Sequence, residues 1–165
     1  MMDREMVEQA KALLDLCRSK KLKIAAAESC TGGLLAATLT EIAGSSDVFE
    51  RGFVTYSNAA KQAMLDVPAD TLDRHGAVSR EIAQAMTQGA LAHAPVELAV
   101  SITGIAGPSG ATADKPVGLV YLAAAARNGR LLEHERRYGD IGRAQVRRAS
   151  VLDALSMLGE LAEAI

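Results

Sequence analysis

LKIAAAESCTGG, residues 22–33, is the stretch of this 165-residue chain that decides its fold. The mostly apolar run from 22 to 27 is short and bounded by polar residues, which predicts a buried β-strand. The run ends at Glu28 and Ser29, and the Gly32-Gly33 pair leads into a helix with apolar residues at helical spacing. A strand that passes directly into a helix predicts an α/β fold, in which several such units share one sheet.

The elements outside this stretch continue the same alternation. Further strands are predicted at 49–56, 96–102, 117–125 and 130–138, and further helices at 6–17, 58–65, 79–94 and from 141 to the end of the chain. Asn128-Gly129 is a two-residue hairpin signal, so the last strand returns antiparallel to the one before it. Since no repeat or linker is visible, residues 1–165 are predicted to form a single three-layer α/β/α domain with a mixed, mostly parallel sheet and helices on both faces.

Composition narrows the classes of function. The formal net charge is −2 and no basic run is present, so we expect no nucleic-acid partner, because such binding rests on clustered Lys and Arg. The apolar stretches are shorter than a membrane span and the N-terminus lacks the apolar core of a signal peptide, so we expect a cytoplasmic protein with no membrane partner. Cys17 and Cys30 belong to no metal-binding pattern, and a reduced chain is favoured over the alternative of a structural disulfide.

Ser29 lies where the first strand passes into its helix. A hydroxyl there is held at the carboxyl edge of the sheet, and free N–H groups at the helix start can face a developing oxyanion or a phosphate. The alternative is that Ser29 and Thr31 cap the helix, and the local sequence alone slightly favours the cap. Cys30 is a rival nucleophile, because a helix N-terminus can stabilise a thiolate.

No histidine is placed as a base for Ser29, so a Ser-His-Asp triad is not predicted. Lys61, in the first turn of the helix after the second strand, is the candidate base if burial or nearby positive potential lowers its pKa. A parallel crossover would bring Ser29 and Lys61 to the same edge of the sheet, with Tyr56 able to hold the pair or relay a proton. A solvated helix lysine remains the alternative, and spacing alone favours it.

Two later segments are candidates for ligand contact. The loop from Thr103 to Gly110 is rich in glycine and matches neither phosphate-binding fingerprint, yet its composition favours close approach of backbone to a ligand. Arg143, Arg147 and Arg148 lie in the first two turns of the last helix, where cations oppose the helix dipole unless an anion compensates. Asp140 as N-cap, or a bound phosphate, would supply that anion; a solvated face is the alternative.

Six stretches together resemble the CinA C-terminal domain family: AESCTGG (27–33), RGFVTYSNAAK (51–61), HGAVS (75–79), TGIAGPSG (103–110), KPVG (115–118) and RAQVR (143–147). They occur in the family's order from about residue 22 to the last helix. One departure is Ala111, where the family loop usually carries a further glycine, and it affects the end of that loop. We expect none of the activity of the larger N-terminal domain that longer relatives carry.

The resemblance implies hydrolysis of the carboxamide of nicotinamide mononucleotide to nicotinate mononucleotide and ammonia, in pyridine nucleotide recycling, without a metal or other cofactor. It makes Ser29 the nucleophile, Lys61 its base and Tyr56 a supporting group. The residues that it implies for holding the nucleotide are Cys30, Thr31, Gly32, Gly33, Asn58, Thr103, Gly104, Gly107, Arg143 and Arg147. It also implies a homo-oligomer. The alternative from a different class is a non-catalytic nucleotide-binding or regulatory module of the same fold.

Overall fold

The computed structural model describes all 165 residues, in five strands and six α-helices. In chain order these are α1 (Arg4–Lys20), β1 (Ile24–Glu28), α2 (Leu34–Thr40), β2 (Phe49–Val54), α3 (Asn58–Leu65), α4 (Ala69–His75), α5 (Arg80–His93), β3 (Leu98–Gly104), β4 (Leu119–Ala126), β5 (Leu131–Arg137) and α6 (Arg143–Glu163), with a short 3₁₀ helix at Ser45–Asp47. Helix α4 was not predicted, because Leu72 is its one buried residue and no apolar period marks it. None of the helices is long and apolar enough to span a bilayer.

The five strands form one mixed sheet in the order β2-β1-β3-β4-β5. β1 pairs in parallel with β2 and β3, whereas β4 is antiparallel to both β3 and β5. Four strands therefore run in one direction and β4 in the other, as the hairpin signal predicts. The carboxyl ends of β1, β2 and β3 meet at a single edge, which is where α/β folds place their ligands.

Helices cover both faces of the sheet, which confirms the predicted three layers. α1, α2 and α6 pack against one face, which includes Ile24 and Ala26, and α3, α4 and α5 pack against the other, which includes Ala25 and Ala27. Successive residues of β1 thus belong to opposite cores, because side chains alternate along a strand. The sheet residues under α5 are mostly alanines, with Ser101 among them, and their small side chains let that helix lie close to the strands.

Several element ends differ from the sequence-based prediction, and three of these differences lie near the carboxyl edge of the sheet. β2 ends at Val54, so Tyr56 lies in the connection to α3 rather than in the strand. β3 continues to Gly104, because its antiparallel pairing with β4 extends that far. The prediction that Asp140 caps the last helix is wrong: the N-cap of α6 is Gly142, and no side chain caps it.

Contacts with α1 hold α6 at both of its ends. At the start of α6, Arg148 donates to the Asp3 carboxylate at 2.9 Å. At its end, Lys20 Nζ donates to the carbonyl oxygens of Ala162 at 2.7 Å and Ile165 at 2.8 Å. These contacts fasten α6 to α1 near the two ends of α6.

Candidate active site

Ser29 and Lys61 meet at the carboxyl edge of β1 and β2. Lys61 Nζ lies 2.9 Å from Ser29 Oγ and 2.9 Å from the carbonyl oxygen of Thr55. Ser57 caps α3 by accepting from the amide of Ala60, which sets the turn from which Lys61 projects. Lys61 is 1% exposed and Ser29 is 8% exposed. The burial of Lys61 is incompatible with the alternative of a solvated lysine.

The ammonium of Lys61 has no charged partner, since its two hydrogen-bond acceptors are a hydroxyl and a carbonyl. Burial lowers the pKa of Lys61 below its usual value of 10.5, against a smaller opposing effect of Cys30. Burial, one of the two causes expected from the sequence, is thus the main cause of the lowered pKa. A lysine with a lowered pKa holds a free lone pair at a lower pH, as a general base requires.

The proposed cap on α2 is not supplied by Ser29 or Thr31. The N-cap position is Gly33, which has no side chain, and the hydroxyl of Thr31 is buried without a hydrogen-bond partner. The carboxylate of Glu28 instead accepts from the amides of Leu35 at 2.8 Å and Ala36 at 3.1 Å. The cap interpretation of Ser29 is therefore wrong, and two amides that could have held a phosphate already have an acceptor.

Cys30 lines the same cleft but is a poor rival nucleophile. Its side chain is buried, and burial raises the pKa of the thiol to about 11. The thiol therefore stays protonated at neutral pH, and a thiol attacks far more slowly than a thiolate. Cys17 is also a buried free thiol, so no disulfide joins the two.

The three histidines lie outside the cleft. His93 contacts Asp66 at 2.6 Å, His75 lies 3.6 Å from Glu81, and His134 contacts Arg136. Each imidazole therefore has a local partner of its own. The expectation that none of them serves Ser29 agrees with this placement.

The cleft that contains Ser29 has a volume of about 250 Å³. Nine of the thirteen predicted site residues line it: Ser29, Cys30, Tyr56, Asn58, Lys61, Thr103, Gly104, Gly107 and Arg143. The structure adds six lining residues that were not named individually: Ala77 and Val78, and Ile105, Ala106, Ser109 and Gly110 of the loop predicted to contact a ligand. Ala77 and Val78 belong to the HGAVS stretch (75–79), which is part of the family resemblance but had no predicted role. A larger groove of about 600 Å³ lies between α1 and α6, but its polar lining is mainly carboxylates and includes no lysine, histidine or cysteine.

The arginines at the start of α6 make different contacts, of which those of Arg148 and Arg143 differ most in charge. Arg148 donates to the carboxylates of Asp3 and Glu5, so its charge is neutralised. Arg143 bridges the mouth of the cleft, donating to the Tyr56 hydroxyl at 2.7 Å and to the Gly107 carbonyl at 3.0 Å. Because neither acceptor is charged, the guanidinium of Arg143 keeps its full positive charge at the cleft.

Four predicted residues do not line the cleft: Thr31, Gly32, Gly33 and Arg147. Arg147 Nη2 donates to the carbonyl oxygen of Thr31 at 2.8 Å. Gly32 adopts φ +55° and Gly33 adopts φ +102°, so both take the left-handed conformation that favours glycine. These residues therefore shape the loop that carries Ser29.

Thr103 and Gly104 at the end of β3 also make contacts that stabilise the structure around the cleft. Thr103 Oγ1 donates to the carbonyl oxygen of Ala77 at 2.8 Å, which brings that segment to the cleft. A Cβ on Gly104 would lie 2.6 Å from Val120 Cγ2 and 2.9 Å from the Leu119 carbonyl. The glycine is required by the neighbouring strand, which the sequence could not show.

The sequence of this chain matches a known family. The family described as CinA C-terminal domain matches residues 6–162. This chain belongs to the CinA C-terminal domain family. A member from Enterobacter agglomerans named nicotinamide-nucleotide amidohydrolase PncC is 45% identical over 87% of this chain and 87% of its own length.

Other members of the family are longer. A CinA-like protein from Citrifermentans bemidjiense is 49% identical over 94% of this chain but only 37% of its own length. This chain spans about a third of the length of such relatives. Among solved structures, that of the competence/damage inducible protein CihA from Agrobacterium tumefaciens has a TM-score of 0.94 and 53% identity, covering 96% of both chains.

Proposed function

We propose that this protein is an amidohydrolase that converts nicotinamide mononucleotide to nicotinate mononucleotide and ammonia. The observation that carries the proposal is the 2.9 Å contact between Lys61 Nζ and Ser29 Oγ inside a cleft. A module that only binds nucleotides has no need of a buried amine beside a serine, since burying an uncompensated ammonium is costly. The name of the Enterobacter agglomerans relative supports the same reaction class.

The mechanism follows from the geometry of the pair. Neutral Lys61 removes the proton of Ser29 as Oγ attacks the carboxamide carbon, and the carbonyl oxygen becomes an oxyanion. The backbone N–H group of Cys30, which lines the cleft, donates to no backbone carbonyl, so it is the candidate donor to that oxyanion. The Lys61 ammonium then gives its proton to the leaving nitrogen, and ammonia departs. The Ser29 ester that remains is hydrolysed by a water molecule that Lys61 deprotonates in turn.

Arg143 is the candidate partner for the substrate phosphate. Its charge has no carboxylate partner, and arginine binds phosphate with paired N–H donors. We expect Arg143→Ala to raise KM for nicotinamide mononucleotide by about tenfold to a hundredfold, the range for a charged hydrogen bond. For the phosphate-free riboside, KM of the Arg143→Ala variant should differ little from that of the parent. Arg148→Ala is the matched control, because that arginine is paired with acids away from the cleft. Equal losses on both substrates would contradict the phosphate role.

Ammonia release tests the function directly. Purified protein should release ammonia from nicotinamide mononucleotide, and Ser29→Ala should release none above background. Free nicotinamide should be a much poorer substrate, since it offers nothing to Arg143. Tight binding of the nucleotide without turnover by the parent protein would favour the non-catalytic module instead. Homo-oligomerisation and a cytoplasmic location stay predictions; a monomer by light scattering would contradict the first.

A further inference from the structure

Glu28 is a buried carboxylate directly before Ser29 that the proposed reaction does not use. It is the last residue of β1 and is 1% exposed. By the alternation of the strand it shares its face with Ile24 and Ala26, which lie in the core under α1, α2 and α6. A charge in such a place is costly unless hydrogen bonds replace its water, so its contacts need an explanation.

The side chain of Glu28 performs the capping that the sequence of α2 lacks. Gly33, at the N-cap, has no side chain, and both carboxylate oxygens of Glu28 bind amides of the first turn of α2. A carboxylate there also lies at the positive end of the helix dipole. The contact joins residue 28 to residues 35 and 36, so it closes residues 29–34 into a ring.

The backbone of Glu28 is tied to the segment that holds the base. Its carbonyl oxygen accepts from the amide of Thr55 at 2.8 Å, and the Thr55 carbonyl accepts from Lys61 Nζ. The Ser29 amide in turn donates to the carbonyl oxygen of Ile102 at 3.0 Å. Both residues of the serine–lysine contact are thus connected to Glu28: Ser29 by a peptide bond, and Lys61 through hydrogen bonds by way of Thr55.

The other hydrogen bonds of the ring do not join it to β1. The amides of Gly32, Leu34 and Ala37 donate to the carbonyls of Ser29, Thr31 and Gly33, and Arg147 donates to the Thr31 carbonyl. Glu28 is therefore the residue of β1 whose side chain holds the far end of the loop. We propose that Glu28 is a positioning residue, which holds the ring so that Ser29 Oγ stays within reach of Lys61. Glu28 does not line the cleft, so it acts on the serine and not on the substrate.

Glu28→Gln is the variant that tests the proposal. The amide is nearly isosteric, but it removes the charge and turns an NH₂ group toward a backbone N–H that needs an acceptor. We expect kcat for ammonia release to fall about tenfold to a hundredfold, since misplacement of a reacting group by about 1 Å has effects of this order, with KM within about threefold. Asp3→Asn is the matched control, because the Asp3 carboxylate caps α1 through the Met6 amide at 3.0 Å but lies away from the cleft.

The kinetic test rests on the proposed function. A second readout is therefore needed that does not depend on that function. The rate at which an organofluorophosphonate labels Ser29 reports its nucleophilicity without any amide substrate. We expect slower labelling and faster hydrogen exchange across 29–36 in Glu28→Gln than in the parent or in Asp3→Asn. If the parent is labelled but releases no ammonia, the proposed function fails while this inference is still decided by labelling.

A folded Glu28→Gln protein that labels and exchanges like the parent would overturn the inference. If that variant does not fold, Ala36→Pro replaces it, since proline is tolerated in a first helical turn and removes one of the two N–H groups that Glu28 binds. It should slow labelling of Ser29 in the same direction. Parental labelling of this folded variant would equally refute the positioning role.

Discussion

Replacing Lys61 by methionine separates the chemistry of this site from its packing. Methionine keeps an unbranched side chain in the buried position but has no nitrogen to accept the Ser29 proton. The structure shows no other side chain in hydrogen-bonding contact with Ser29 Oγ, so no neighbour can take over. Lys61→Met should therefore lose the whole contribution of general-base catalysis.

The size of that loss can be estimated. General-base catalysis is worth about 10²- to 10⁴-fold in rate, which is about 3 to 5 kcal/mol of activation free energy. The fold should survive, because two effects on stability oppose each other. The Thr55 carbonyl loses its donor, at a cost of about 1–3 kcal/mol. The variant in return no longer buries an ammonium without a counter-ion.

The assay is ammonia release from nicotinamide mononucleotide, followed alongside circular dichroism to show that the variant is folded. Lys11→Met is the control, because Lys11 is an exposed lysine paired with Asp15 on α1. A folded Lys61→Met protein that retains activity within tenfold of the parent would refute the role of Lys61 as the base.

The pH dependence checks the same assignment. Because burial lowers the pKa of Lys61, kcat/KM of the parent should rise with pH, and the midpoint of this rise should lie below pH 10.5. The unfolded chain binds the proton of this lysine up to its ordinary pKa, whereas the folded chain releases it at lower pH. The free energy of unfolding should therefore rise with pH between the lowered pKa and 10.5, and Lys61→Met should lack this rise. An activity limb at or above 10.5 would contradict the burial of the base.

Three further outcomes are expected. Gly89→Ala should destabilise the fold by about 1–3 kcal/mol in urea unfolding despite its better helix propensity, since its Cβ would lie 2.1 Å from the Leu65 carbonyl oxygen. Gly159→Ala, with no atom within 4 Å of its Cβ, should instead stabilise by up to about 1 kcal/mol, and equal signs for the two would contradict the packing of α5 on α3. Cys30 should resist Ellman's reagent until denaturant is added, because its thiol is buried with a pKa of about 11; rapid reaction of the native protein would disprove that burial.

Much of the site was predictable because its parts follow local rules. A run of apolar residues ending in Glu28-Ser29, followed by two glycines, is enough to place a serine between a strand and a helix. The rule that parallel strands share a carboxyl edge then brings Lys61 to Ser29, as the 2.9 Å contact shows. The resemblance carried by the six stretches indicated further residues that line the cleft, including Thr103 and Arg143.

Other features could not be predicted, because they depend on residues far apart in the chain. The three arginines of α6 look alike in sequence, yet Arg148 is neutralised by Asp3 across 145 positions while Arg143 reaches Tyr56 across 87. The glycine at 104 was expected to approach a ligand; it lines the cleft, and it is also required by Val120 on the adjacent strand, which no local pattern could show.

The sequence by itself determined the order of the elements except α4, because hydrophobic period and turn residues are properties of neighbouring residues. It offered Ser29 and Lys61 as candidates, and the family resemblance favoured them over a cap and a solvated lysine. Only the tertiary structure decided what those residues can do. It buries Lys61 without a counter-ion, keeps Cys30 protonated and assigns the cap of α2 to Glu28. Desolvation and hydrogen-bond partners are set by whatever the fold packs around a group, and no local pattern carries that information.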